Sequence, residues 1–112
     1  MRCKGKIVEI VKSTIPYTNI MRIECEDGKK VEMLIHDELL NFRTGEDVEV
    51  IIDSELPEYK DGIDLCGKGM FYKADDKRRF FSIGGFLVVV WNDENKYEIG
   101  KKYYICVLHK EG

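Results

Sequence analysis

Apolar and polar side chains alternate with a period of two along most of the chain, and that pattern predicts strands almost throughout. From Asn19 to Cys25, one face carries Met21, Ile23 and Cys25 while Arg22 and Glu24 take the other. Asp27-Gly28 follows directly, a strong signal for a tight hairpin, and Val31, Met33 and Ile35 resume the alternation beyond it. Lys6 to Lys12, rich in Ile and Val, reads as a strand before this hairpin. After it, Val48, Val50 and Ile52 alternate with Glu49, Ile51 and Asp53. The helix-like stretch is His36 to Phe42, one or two turns with Leu39, Leu40 and Phe42 on one side, stopped by Thr44-Gly45.

Periodicity lapses from Asp53 to Gly62, where Pro57 and several charges stand. Residues 1–53 and 62–112 are therefore expected as halves of a single domain, 1–112, joined by the loop 54–61. The second half predicts a strand over Ile63 to Lys73, with a bulge or close crossing at Gly67 and Gly69. A polar turn at Asp75 to Arg78 follows, then strands at Arg79 to Ile83, Phe86 to Trp91 and Tyr103 to His109. Short, evenly spaced strands with no long helix for parallel crossovers point to an all-β fold. The expected architecture is a single antiparallel eight-stranded barrel of the Greek-key, oligonucleotide-binding (OB) type with one short helix. Closure removes the edges that so many strands would otherwise expose. Phe86 to Trp91 does not alternate and is expected to be covered on both faces.

Composition narrows the partners. A net charge of −3 argues against a phosphate-gripping domain, so nucleic acid is expected to be at most peripheral. Cys3, Cys25, Cys66 and Cys106 stand too far apart for a zinc knuckle, and no metal is expected. The longest apolar run has six residues, against roughly 20 for a membrane-spanning helix, and nothing at the N-terminus reads as a signal peptide. The expectation is a soluble, cytoplasmic protein whose cysteines are small buried hydrophobes, with a Cys66–Cys106 pair left open.

Candidate chemistry is sparse. Gly62 to Lys68 spells Gly-x-x-x-x-Gly-Lys, but Gly69 stands where a magnesium-binding hydroxyl belongs, and Met70 to Tyr72 read as strand where that loop opens a helix. Ser82 lacks a nucleophile elbow; the two histidines, His36 and His109, have no triad setting; and the close acidic sets, Glu24 with Glu26 and Asp75 with Asp76, read as solvated faces. No catalytic residue, cofactor or small-molecule ligand is expected. A small-molecule barrel enzyme would need a polar pocket for which no residues stand out. Cations and aromatics do interleave over Tyr72, Lys73, Lys77, Arg78, Arg79, Phe80 and Phe81, as single-strand binding requires. The favoured reading of the same residues is a charged hairpin tip with inward rings; a protein-facing patch comes second and nucleic acid last.

Three ordered blocks carry a resemblance: Tyr59 with Leu65-Cys66-Gly67-Lys68-Gly69-Met70, then Ser82-Ile83-Gly84-Gly85-Phe86-Leu87-Val88, then Tyr103 to Lys110. Together they resemble the C-terminal half of the small RNA polymerase subunit shared by the eukaryotic nuclear enzymes and found in some archaea, where it is called G or the eighth subunit. Two features depart from that family. Val89 stands where the family often has a basic residue, and the Asp53 to Gly62 loop is much shorter than in eukaryotic members, so contacts through either are not carried over. The resemblance implies a non-catalytic barrel docked on the outside of DNA-directed RNA polymerase, against the largest subunit and away from the catalytic magnesium. It places Gly84, Gly85, Phe86 and Leu87 at or under the docking surface, with Tyr59 and Lys68 nearby. Gly84-Gly85 is expected either to let a neighbouring backbone approach or to form only a barrel-corner bulge. The runner-up function is a free-standing OB-type module binding single strands through Tyr72, Lys73, Lys77, Arg78 and Arg79.

Overall fold

The computed structural model describes residues 1–110, so the last two positions of the 62–112 half lie outside the described residues. The alternating runs become strands β1 (Arg2–Lys12), β2 (Thr18–Cys25), β3 (Lys30–His36), β4 (Asp47–Asp53), β5 (Leu65–Ala74), β6 (Arg78–Ile83), β7 (Phe86–Trp91) and β8 (Lys102–His109). They close into an antiparallel barrel in the order β1-β2-β3-β7-β6-β5-β8-β4. The expected helix shrinks to one 3-10 turn, Asp37–Leu39, with no buried residue. His36 caps it through Nδ1, which accepts from the Glu38 N–H. Phe42 lies beyond that turn and packs inward, which is why its apolar signal looked helical.

The barrel order resolves into two four-stranded Greek keys, β4-β1-β2-β3 and β8-β5-β6-β7, meeting at β3–β7 and β4–β8. The registers relate the keys by an internal two-fold. Met33↔Val88 and Val31↔Val90 flank Glu32↔Val89 symmetrically. Val50↔Val107 and Ile52↔Ile105 do the same about Ile51↔Cys106. β1 bulges between Ile7 and Glu9, and β5 between Phe71 and Lys73. Beside each bulge the same backbone clasp recurs: Ile7 donates to Glu46 O and accepts from Gly45 N–H, while Phe71 donates to Lys101 O and accepts from Gly100 N–H.

Alternation delivers Ile7, Met21, Ile23, Met33, Val50, Phe81, Val88 and Ile105 to the interior, each essentially inaccessible. Aromatic side chains fill opposite ends of β8. At the His109 end, Phe42 stacks on His109 with ring centroids 4.2 Å apart. At the Tyr103 end, Tyr97 packs edge-on to Tyr103 and Phe81 and tilts against Phe71. Phe42 and Tyr97 precede the matching clasps of the two keys. The Tyr97 hydroxyl donates to the buried Asp93 carboxylate, which also accepts from the Asn95 backbone and side-chain amides. Gly5 and Gly69 occupy matching inner positions where a Cβ would not fit. At Gly5 it would strike the Glu24 carbonyl and Cys25 Cα; at Gly69, Ile83 Cγ1 and Ile105 Cδ1 lie 2.9 Å from it. The Gly67 and Gly69 gaps are thus filled by the Ile83 side chain, and the β5 bulge lies further along.

Three expectations change. The cysteines are not free hydrophobes: Cys3–Cys25 links β1 to β2 and Cys66–Cys106 links β5 to β8, so each disulfide sits within one key. Only the middle of β7, Val88 to Val90, is covered on both faces; Phe86 and Trp91 are half-buried and Leu87 is exposed. Ile51 and Glu49 point outward by alternation yet are buried. Glu49 meets Lys110 and Arg2 at 3.1 and 3.8 Å. The 54–64 connection is tied to β8 by Asp64, whose carboxylate accepts from the His109 and Lys60 N–H groups.

Two outcomes follow from this construction. Each disulfide closes a long loop, spanning 22 and 40 residues, so losing either (Cys25→Ser or Cys106→Ser) should cost roughly 3 to 4 kcal/mol in denaturant unfolding. Maleimide applied in denaturant should label no thiol before reduction and all four afterwards. Burial, reinforced by the Asp93 hydrogen bond, pushes the Tyr97 phenol well above its ordinary 10.0. Its folded value is raised, so its contribution is complete below pH 10 and is lost as the pH climbs further. Tyr97→Phe should lower stability by about 1 to 3 kcal/mol near neutrality and flatten the alkaline fall seen for the parent.

Candidate docking surface

β6 and β7 are joined by Gly84-Gly85, at φ +54 and +90, a two-residue turn that needs positive φ at both positions. The Gly85 N–H donates to Ser82 Oγ at 3.2 Å. Nothing lies within 4 Å of where a Cβ would stand on either glycine. The pair is therefore a hairpin tip required by backbone angle, with no neighbouring strand crossing it. A Gly85→Glu change would strain the turn whatever it did to a partner, so the side chains beside the tip are the better probes.

Registers place those side chains. Met70 pairs with Ser82 and Ser82 with Leu87, in one row across the outside of β5, β6 and β7. The next step of the β3–β7 register sets Leu34 beside Leu87, and Leu34 pairs with Ile20, which pairs with Val11. The row is an apolar band interrupted by one hydroxyl, with Leu87 41%, Met70 40% and Val11 37% exposed. Tyr72, at the β5 bulge, borders a shallow depression with Ser82, Gly85 and Leu87. Lys68 lies outside β5 with its ammonium 5.3 Å from the Tyr104 ring. Tyr59 lines a separate cleft with Leu39, Ile63 and Cys66. Cys66, Lys68, Met70 and Tyr72 share the outer side of β5, so Leu87, Lys68 and Tyr72 border one surface while Tyr59 sits at its far end.

The basic, aromatic hairpin is divided by the same alternation. Phe81 is fully buried, whereas Phe80 and Tyr72 face outward with centroids 6.3 Å apart. Lys73 and Arg78 both lie over the Phe80 ring, at 5.4 and 5.0 Å. Arg78 also grips Asp75 through Nε at 2.8 Å and its terminal nitrogen at 2.7 Å. That hydrogen bond, with the Lys77 and Arg78 amides, lowers the Asp75 carboxyl to about 2. Arg79 donates to the carbonyls of Asp75, Arg78 and Asn95. Lys77 has no ion pair among the described residues. One ring, Tyr72, is left open, with Arg78 and Arg79 already held by partners in the chain.

Sequence reading picked Leu87, Lys68 and Tyr72 from this surface but not Met70, Leu34, Ile20 or Val11. Their signal is weak: each is a single apolar residue at an outward position, and only the cross-strand register joins them into a band.

Comparisons with known proteins bear on the chain as a whole. No curated protein matches the chain. Among solved structures, the cytoplasmic molybdate-binding protein ModG with molybdate bound is 13% identical, with 96% of this chain and 89% of that one covered. Its TM-score is 0.37, too low for the likeness to bear on fold or ligand. The RpbG family model, which describes the G-type subunit of DNA-directed RNA polymerase, matches residues 1–110, nearly the whole chain and both Greek keys. The chain belongs to this RpbG family of DNA-directed RNA polymerase subunits.

Proposed function

We propose that this chain is a non-catalytic structural subunit of an archaeal, cytoplasmic DNA-directed RNA polymerase, docking on the largest subunit to support assembly and stability of the enzyme. The match to the RpbG family over residues 1–110 carries this reading. Side-chain geometry supports the non-catalytic part. His36 is spent on capping the 3-10 turn, and His109 Nδ1 lies 2.8 Å from Glu46 while Phe42 covers its ring. Ser82 accepts from a turn amide and has no base beside it among its described partners. No helix is long and apolar enough to cross a membrane among the described residues.

A free-standing single-strand binder needs successive rings for stacking and free cations for phosphates. Phe81 in the core, Phe80 under two cations and Arg78 held by Asp75 leave that reading a single open ring, Tyr72, where it needs successive ones, beside Lys73 and Lys77, unpaired among the described residues. Nucleic acid is then at most a peripheral contact.

Capture of the chain from its own cells at native expression, with nuclease in the lysate, distinguishes the two. The expected result is the largest polymerase subunit recovered in near-equal amount together with the rest of the core enzyme. Recovery of no polymerase subunit, with nucleic acid copurifying when nuclease is omitted, would overturn the proposal.

A further inference from the structure

The internal two-fold supplies a control inside the molecule. Each position of the apolar band has a mate in the other key with the same backbone setting. Met70 stands just before the Phe71 clasp as Lys6 stands before the Ile7 clasp. Met70↔Ser82 and Ser82↔Leu87 are matched by Lys6↔Glu24 and Glu24↔Lys30. Beyond them, Leu34, Ile20 and Val11 are answered by a row that continues from Lys30 to Trp91 and Arg78. The fold accepts charge at the positions of Met70, Ser82, Leu87 and Ile20, since their mates Lys6, Glu24, Lys30 and Arg78 carry it, while Leu34 answers to Trp91. Apolar side chains on the other flank, about two-fifths exposed at Met70 and Leu87, are thus not a requirement of closing the barrel.

Charge beside the band points the same way. Lys68, Lys73 and Lys102 are exposed on β5 and β8, and none has an ion pair among the described residues. Lys102 pairs in register with Met70 itself. A chain of net charge −3 so places unneutralised cations along the apolar row. Carboxylates on a partner would complement them. The row's Leu, Met, Ile and Val side chains offer area to a polypeptide, and the single open ring beside them, Tyr72, is short of the successive rings that a strand of bases stacks on. Because the barrel is closed, no strand edge is available for a partner to extend, and association must come from side chains laid on the outer pleat.

We infer that the band from Met70 through Ser82, Leu87, Leu34 and Ile20 to Val11 receives an apolar polypeptide segment of another polymerase subunit, flanked by carboxylates that meet Lys68, Lys73 and Lys102. This rests on the polymerase reading above, and the experiment separates the two. Nuclease-treated lysate is probed with the tagged full chain, with Met70→Lys/Leu87→Lys, which gives the band its mate's charge, and with Lys6→Ala/Lys30→Ala on the mate row. The first double variant should lose tenfold or more of the captured polymerase while its melting temperature stays within a few degrees of the parent. The mate-row variant should capture as the parent does. Lys68→Glu/Lys73→Glu should weaken capture most at low salt. If the parent captures no polymerase subunit, the functional reading fails. If the parent captures polymerase and Met70→Lys/Leu87→Lys captures as much, the band is not the site. Equal loss from the mate-row variant would refute it as well, and capture abolished by nuclease would replace the polypeptide partner with nucleic acid.

Discussion

A four-stranded Greek key ends in two strands whose outer hydrogen-bonding groups have no partner, and everything else in this molecule follows from how those ends are met. The first key ends in β4 and β3, the second in β8 and β7, and the β3–β7 and β4–β8 seams satisfy all four edges at once. Neither key alone encloses an interior. Joined, they hold one core to which each contributes through the same inward positions: Ile7 and Phe71, Ile23 and Phe81, Val31 and Val88. Crowding within each key, against β2 at Gly5 and against Ile83 and Ile105 at Gly69, explains the bare glycines facing inward, and the rings of Phe42 and Tyr97 fill the ends of the joined barrel.

What could be read from the chain divides along the same line. Properties set by neighbouring residues were legible: the strands, the Asp27-Gly28 hairpin, the break after Asp53, and a barrel in place of an open sheet. β7 was bounded correctly because its apolar run is continuous. Properties set by pairing were not. Cys3 and Cys25 are distant in the chain and come together because β1 and β2 are neighbours. Tyr97 lies in a stretch without periodicity, and its role exists only once β5, β6 and β8 surround it. Gly84-Gly85 was expected either to admit a neighbouring backbone or to form a corner bulge; within the chain it is a tight turn, and positive φ is what demands glycine there. Leu87 and Lys68 could be named from the chain as docking candidates, while the apolar band beside them could not, since it is a row across strands and no segment of the chain contains it.

The two-fold also separates what the fold needs from what it does not. Where both keys keep the same kind of residue, as at the inner apolar positions and the clasp glycines Gly45 and Gly100, a common structural demand accounts for it. Where they differ, that demand cannot be the reason. The outer rows differ most. Lys6, Glu24 and Lys30 form a solvated row of alternating sign, while Met70, Ser82 and Leu87 hold matching positions with no charge. A surface asymmetry on a symmetric frame has to be accounted for outside the frame.

The two seams are covered differently, which bears on what a docked partner would do. Outside β4–β8, Ile51 and Cys106 are buried, and the chain's own 54–64 connection is fastened beside them by Asp64 on His109. Outside β3–β7 the outward-facing Val89 is buried in its turn, and the apolar band crosses the seam one step beyond Val88, with Leu34 on one key and the exposed Leu87 on the other. The disulfides leave both seams unlinked, since each lies within a key. Cohesion between the keys is therefore left to backbone pairing and the shared core. A partner seated on the band would touch both keys at once and would bind only the closed barrel, so its binding free energy would add to the stability of the β3–β7 seam. Structural support in such an assembly would then run in both directions: the subunit would offer a partner a rigid apolar surface, and the partner would brace the β3–β7 seam from outside.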